Sequence, residues 1–260
     1  MEQVTSRANE RVKQIVSLKN EPALRREAGL CVLEGFKLCG EALRLGLSIE
    51  ELWISEAALE KNKKEAEGLI ASSKSAVLMS EGVCEKLTEQ KSPQGALALV
   101  SLPAPLENAE LGKFKKAAAL CSVQDPANVG AAARCAAAFG YALVLTADCA
   151  DLFSPKALRA SMGAALRLPF AVFPGEREML AALQSAGFET LAAAMTEDAE
   201  PLGDFEAPER FALLIGSEGR GLPEDIISAC SRRVAIPVSA AVESLNASAA
   251  AAVLMWELGK

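Results

Sequence analysis

The sequence predicts an α/β protein in two parts, a small mixed α/β module followed by a mostly parallel sheet with helices on both faces. Three observations carry this. Strand-like and helix-like segments alternate along most of the 260 residues. The strand-like runs of the C-terminal half are short and continuously apolar, as strands covered on both faces must be. Between the two series lies SLPAPLENAELGK, residues 101–113, which has two prolines and no period and reads as a linker. Residues 1–100 and 114–260 are the expected domains.

In chain order, SRANERVKQIVSL from Ser6 reads as a basic amphipathic helix with Val12, Ile15, Val16 and Leu18 on its apolar side. A basic arm through Arg25 and Arg26 follows. CVLEGFKLCGEALRLG reads as a strand that turns at Gly35 into a helix ending near Gly46, and ELWIS, SAVLMS and QGALALV supply further strand signals. After the linker come AAALCSV, YALVLTA, LPFAVF, FETLAAAM, FALLIG and RRVAIPV, strand-like runs separated by helix-like segments, and a last helix is expected to run to about Leu258.

Composition narrows the chemistry. A hydrophobic content of 51% is enough for real cores, so disorder is not expected. The seven cysteines form no CxxC pair and are odd in number, which suits reduced, mostly buried thiols rather than a disulfide framework. With no histidine, the usual zinc partner and the usual neutral-pH base are missing, and no metal is expected. The start of the chain lacks a signal-peptide pattern and no apolar run could span a bilayer, so a soluble, cytoplasmic protein without a membrane partner is expected. The net charge of −7 opposes a nucleic-acid partner only if it is evenly spread. It is not: six acids lie between Glu197 and Glu209 with no base among them, whereas residues 1–37 carry seven Lys or Arg against five acids. The acidic stretch reads as a solvated loop, and the N-terminal segment is the better electrostatic contact.

Three polar segments sit where strands should end: DPANVGAAAR from Asp125 to Arg134, LIGSEGRG from Leu214 to Gly221, and IPVSAAVESLNAS from Ile236 to Ser248. Ligands of open α/β sheets bind outside the carboxyl ends of strands, so three such corners can converge on one crevice. Asn128 has the character of a helix N-cap, and Arg134, six residues on, lies about 9 Å further along the axis if the segment is helical. Gly216, Gly219 and Gly221 permit positive φ or close backbone approach, although a tight turn alone would also explain them. Their spacing is neither a dinucleotide fingerprint nor a P-loop, which disfavours a nucleotide-dependent oxidoreductase. Ile236, Val238 and Leu245 suit either core packing or an apolar flank for a ligand.

The order and spacing of these segments resemble the three motifs of the SpoU/TrmH branch of the SPOUT superfamily, RNA methyltransferases that use S-adenosylmethionine to modify a ribose 2′-hydroxyl. Asn128, Gly130 and Arg134 match the first motif; Gly216, Glu218, Gly219 and Gly221 the second; Ile236, Pro237, Ser244, Leu245, Asn246 and Ser248 the third. The resemblance implies a trefoil knot in the C-terminal domain, an exception to the rule that chains do not thread loops. It implies catalytic roles for Asn128, Arg134, Glu218, Ser244 and Asn246. Cofactor contacts are implied for Gly216, Ser217, Gly219, Ile236, Val238 and Leu245, with Ala194 as a further main-chain position. A homodimer through the C-terminal domain is implied as well. The chain departs from the family pattern at Ala240, usually Gly, and Val238, often Met.

VLEGFKL and SPQGALAL resemble the small substrate-binding domain that precedes many such catalytic domains, so residues 1–100 are expected to bind RNA. Arg7, Arg11, Lys13, Arg25 and Arg26 are its candidate contacts. FSPKALRASMG, Phe153 to Gly163, resembles a segment of ribosomal-RNA members, which makes Arg159 and Ser161 candidates too; the other reading is a helix start capped by Ser154. Structured RNA is the expected partner, 23S ribosomal RNA ahead of transfer RNA. The competing reading is a non-catalytic RNA-binding ribosome-assembly factor on the same scaffold.

Overall fold

The computed structural model describes residues 1–88, 93–239 and 245–260. The chain divides into two compact units, one of Met1–Pro103 with Phe153–Leu166, the other of Ala104–Leu152 with Arg167–Lys260.

The first unit contains β1 (Glu2–Val4), α1 (Glu10–Asn20), α2 (Pro22–Ala28), β2 (Leu30–Glu34), α3 (Phe36–Arg44), β3 (Ile49–Ser55), α4 (Glu56–Lys61), α5 (Lys63–Ser72), β4 (Ala76–Met79), α6 (Glu81–Leu87) and β5 (Ala96–Ser101). Its sheet runs β1-β4-β3-β5-β2, with β5 antiparallel to both neighbours and the other pairs parallel. Asn9 caps α1 by accepting from the Arg11 amide at 2.9 Å, and the helix buries Val12, Ile15 and Leu18 against Trp53, Val77 and Leu97. The apolar spacing that predicted this helix is therefore the face it buries. Arg25 and Arg26 lie on α2, a short helix closed by Gly29 at φ +65°, rather than on an extended arm.

The second unit contains β6 (Lys116–Leu120), α7 (Pro126–Phe139) and β7 (Ala142–Thr146). After α8 (Pro155–Ala160), which belongs to the first unit, come β8 (Phe170–Phe173), α9 (Glu176–Ser185), β9 (Glu189–Ala193), β10 (Glu200–Pro201), β11 (Phe211–Ile215), α10 (Glu224–Ala229), β12 (Arg232–Ala235) and α11 (Ala247–Leu258). Its sheet is parallel throughout, in the order β10-β12-β9-β11-β6-β7-β8. All six strand-like runs of this half are strands, and the two-residue β10 adds a seventh that no apolar run announced. The central strands β6, β7 and β11 are almost wholly buried, which is why their sequences are unbroken apolar runs. The linker contains a 3₁₀ turn, Asn108–Lys113, whose Leu111 is fully buried in this unit's core.

The helix after β6 starts earlier than Asn128 suggests. Asp125 is the N-cap, its carboxylate accepting from the Ala127 amide at 2.9 Å, and Pro126 takes the first helical position, where its missing N–H costs nothing. Asn128 therefore sits inside the first turn with its side chain free for other work. All seven cysteines are free, and among the described residues no helix is long and apolar enough to cross a membrane.

Candidate active site

Strand order assembles the site. The segments around Ile236, Ala194, Gly216 and Asp125 follow β12, β9, β11 and β6, four neighbouring parallel strands, so all four lie at one carboxyl edge of the sheet. Residues separated by more than a hundred positions are brought to adjacent corners.

Two asparagines and a glutamate join these corners. Asn246 is the N-cap of α11; its Oδ1 accepts from the Ser248 amide at 2.9 Å, the Ala249 amide at 3.4 Å and the Ser248 hydroxyl at 2.7 Å. That fixes which way its amide faces, so Nδ2 points outward and donates to Asn128 Oδ1 at 3.1 Å. Asn128 must then present its own Nδ2 as donor, and it donates to Glu218 Oε1. The polarity of the chain Asn246 to Asn128 to Glu218 is thus set by a helix cap. It ends on a carboxylate, the one member able only to accept when ionised. Ser244 and Ala240 lie outside the described residues.

The β11 corner is closed by its own backbone. The Gly221 amide donates to the Ser217 carbonyl at 2.9 Å, and Gly221 adopts φ +66°. A Cβ on Gly216 would overlap the Gly221 carbonyl group and the Leu222 nitrogen, so this glycine is required by the turn itself. Gly219 is different: among the described residues nothing lies within 4 Å of the place a Cβ would take. The corner leaves Ser217 half-buried and Glu218, Gly219 and Arg220 exposed.

The apolar residues of the edge are only partly covered. Leu245 is 37% exposed and Met195, next to Ala194, is 66% exposed, while Ile236, Val238 and Ala194 are half-buried. Core packing therefore does not account for Leu245. Uncovered apolar side chains beside main-chain groups at strand ends suit a flat heteroaromatic ring flanked by hydrocarbon, so the residues present fit an adenosyl group. The Ala194 amide is already committed to the Val234 carbonyl at 3.2 Å, which leaves its own carbonyl, unpartnered among the described residues, as the group of that residue able to face a ligand. Among the described residues, no cluster of three or more His, Cys, Asp or Glu is placed to hold a metal ion.

Arg134, on α7, is exposed and has no hydrogen bond or ion pair among the described residues, the state expected of a cation waiting for an anionic ligand. The basic residues expected to contact RNA are mostly occupied. Arg7 pairs with Glu85; Arg11 pairs with Glu51 and with Glu2 at 2.6 Å and lies over the Trp53 ring; Lys13 pairs with Glu10 at 2.6 Å. Arg25 is a correction: it is 2% exposed and donates to the carbonyls of Leu18 and Lys19 at 2.5 and 2.8 Å, holding α2 against α1. Arg26 stays exposed. Arg159 lies 3.6 Å from the buried Glu34 carboxylate, which also binds Lys19 at 2.7 Å, and Ser161 is fully buried, so both serve the first unit internally. Ser154 caps α8 through the Ala157 amide at 3.3 Å.

Further unpaired cations of the first unit surround a groove. The groove, of about 1180 Å³, is lined by Phe36, the bases Lys37, Arg44, Lys61 and Lys64 and the acids Glu65, Glu81 and Glu85 among others. Lys37, Lys61 and Lys64 are exposed and unpaired among the described residues. They are scattered over α3, α4 and α5, so no local charge run marked them; only the distribution of cations over helix faces could have.

The family model described as the SpoU rRNA methylase family matches residues 116–256, and one described as an MRM3-like substrate-binding domain matches residues 9–98. An uncharacterized tRNA/rRNA methyltransferase of Synechocystis sp. is 32% identical over 98% of this chain and 92% of its own length. The 23S rRNA (guanosine(2553)-2′-O)-methyltransferase RlmP of Bacillus subtilis is 28% identical over 99% of both chains. Among solved structures, an S-adenosylmethionine-bound rRNA methyltransferase of Sinorhizobium meliloti superposes with a TM-score of 0.85 at 25% identity, covering 99% of this chain and 97% of that one. The parallel sheet, its three polar corners and these matches agree, and the chain belongs to the SpoU rRNA methylase family.

Proposed function

We propose that this protein transfers a methyl group from S-adenosylmethionine to a ribose 2′-hydroxyl of RNA, with 23S ribosomal RNA as substrate. The observation that carries the reading is the side-chain relay from Asn246 through Asn128 to Glu218, which ties all three corners into one polar site beside uncovered apolar residues. The names of relatives that align over the full chain support the substrate class. The trefoil knot implied by the resemblance belongs to the same reading.

The bound cofactor supplies an electrophilic methyl on a sulfonium. The chain's own residues do the rest. Gly216, Ser217, Gly219, Ile236, Val238, Leu245 and Ala194 hold the adenosyl group through main-chain contacts and hydrocarbon flanks. The relay keeps Asn128 in one orientation, with its second amide hydrogen available to the ribose or its phosphate. The 2′-hydroxyl releases its proton to solvent as the oxygen approaches the methyl carbon, so negative charge builds on that oxygen before the oxygen–carbon bond forms and the carbon–sulfur bond breaks to leave a neutral thioether. Arg134 stabilises that charge; a guanidinium holds its proton too tightly to act as the base. RNA is held through phosphate contacts to Lys37, Lys61 and Lys64 around the groove of the first unit.

The test is transfer of labelled methyl to 23S ribosomal RNA, with transfer RNA in parallel and the product located by its resistance to alkaline cleavage. Arg134→Ala is expected to lower kcat on the order of a hundredfold while cofactor affinity by calorimetry stays within about twofold. Cofactor and RNA binding without any transfer would instead favour the assembly-factor reading.

A further inference from the structure

Just before the first motif the chain does something costly. Ser122, at the end of β6, takes φ +55°, a left-handed conformation that serine rarely adopts. Its amide donates to Thr146 Oγ1 at 2.9 Å, and its hydroxyl lies 2.6 Å from Asp148 Oδ2 and 2.7 Å from Glu176 Oε1. Thr146 in turn donates to Asp148 Oδ1 at 2.6 Å. Gln124 reaches back with Nε2 to the carbonyls of Asp148 at 2.6 Å and Ser122 at 3.2 Å, and the Ala150 amide closes on the Val123 carbonyl at 2.8 Å. Burial opposes charge on Asp148, yet the hydrogen bonds from Ser122 and Thr146 carry its carboxyl below the usual range.

The consequence is local and directional. Ser122, Val123 and Gln124 are each tied to the loop after β7, Ser122 also to the start of α9, and the next residue, Asp125, is the cap from which α7 and Asn128 begin. Backbone strain persists only where surrounding contacts over-determine it, and it gathers where position matters. We propose that Ser122, clamped by Asp148, Thr146 and Glu176, is a positioning residue that sets the height of the first-motif loop and hence the place of Asn128 in methyl transfer. This rests on the methyltransferase reading above.

Ser122→Gly separates position from mere stability. Glycine keeps φ +55° at no steric cost but loses the hydroxyl clamp. The melting temperature of the variant is expected to equal or exceed that of the wild type, while kcat falls on the order of ten- to a hundredfold and the affinities for S-adenosylmethionine and RNA stay within about twofold. In the cofactor-free protein, amide hydrogen exchange from Val123 to Asn128 should quicken. Ser122→Asn, which tolerates the left-handed region and keeps a polar side chain, should recover part of the rate. Unchanged kcat, unchanged exchange, or a rate loss that merely follows a lower melting temperature would each overturn the role of Ser122 alone. A wild-type protein that transfers no methyl group would overturn the function and this role together.

Discussion

One added methyl group is enough to break the corner at Gly216, because the space a Cβ needs is filled by the Gly221 carbonyl and the Leu222 nitrogen. Backbone cannot step aside as a flexible side chain can. Gly216→Ala is therefore expected to cost about 1–3 kcal/mol through the turn itself, which lowers the melting temperature by roughly 3–10 °C. Thermal unfolding without ligand checks this; an unchanged melting temperature with weakened cofactor binding would mean that the space serves the ligand and not the turn. Sequence left a tight turn and close approach of a ligand both open for Gly216, since a glycine needed for either looks alike in one dimension. Asn128 shows the same limit. Its type suggested a cap, yet Asp125 holds that place and frees Asn128 for the relay, a distinction made only by three-dimensional partners 90 and 118 residues away.

Elements were legible wherever burial is uniform. β6, β7 and β11 are covered on both faces and announce themselves as apolar runs, and α1 announces itself through Val12, Ile15 and Leu18. The three-residue β1 and the two-residue β10 were not legible, because such short strands carry no pattern and exist by pairing with β4 and β12. Charge is less legible for a related reason: the N-terminal segment is basic in sequence, but Arg7 and Arg11 are spent on Glu85, Glu2 and Glu51 contributed by other elements. Lys37, Lys61 and Lys64 on α3, α4 and α5 are among the cations left over. Replacing Lys37, Lys61 and Lys64 together by Glu should weaken RNA binding and reduce the slope of log affinity against log salt by roughly two to three. The same exchange at Arg7 and Lys13 should change that slope far less. Titrations at several salt concentrations decide it, and equal slopes for wild type and the triple variant would remove the groove as the phosphate contact.

At the scale of the molecule, the charge of −7 is balanced locally rather than spread. The acidic stretch after β9 is drawn onto the second unit: Arg232 holds Glu200 through Nε at 2.9 Å and Nη2 at 2.7 Å and stacks on Phe205, Asp198 lies 3.6 Å from Arg233, and Glu209 binds Lys115 at 2.5 Å. One surface that the second unit leaves uncovered is apolar. On α11, Ala249, Val253 and Trp256 recur at helical spacing on one exposed side, Val253 at 41% and Trp256 at 58% exposure. The Phe139 ring of α7 packs 5.6 Å from that of Trp256, so the two helices share this surface, and Ala138 is exposed beside it. A second copy of the chain is the partner that the family resemblance proposes, and a two-fold pairing would bury the stripe on both subunits at once. It would also bring Arg134, exposed one turn before Ala138, toward the neighbouring subunit, where it could serve that subunit's cofactor site. Val253→Glu with Trp256→Glu should give a monomer whose cofactor affinity is little changed and whose methyl transfer is lost. Sedimentation at micromolar concentration is the measurement: a wild type of monomer mass, or a monomeric variant with full activity, would reject the shared site.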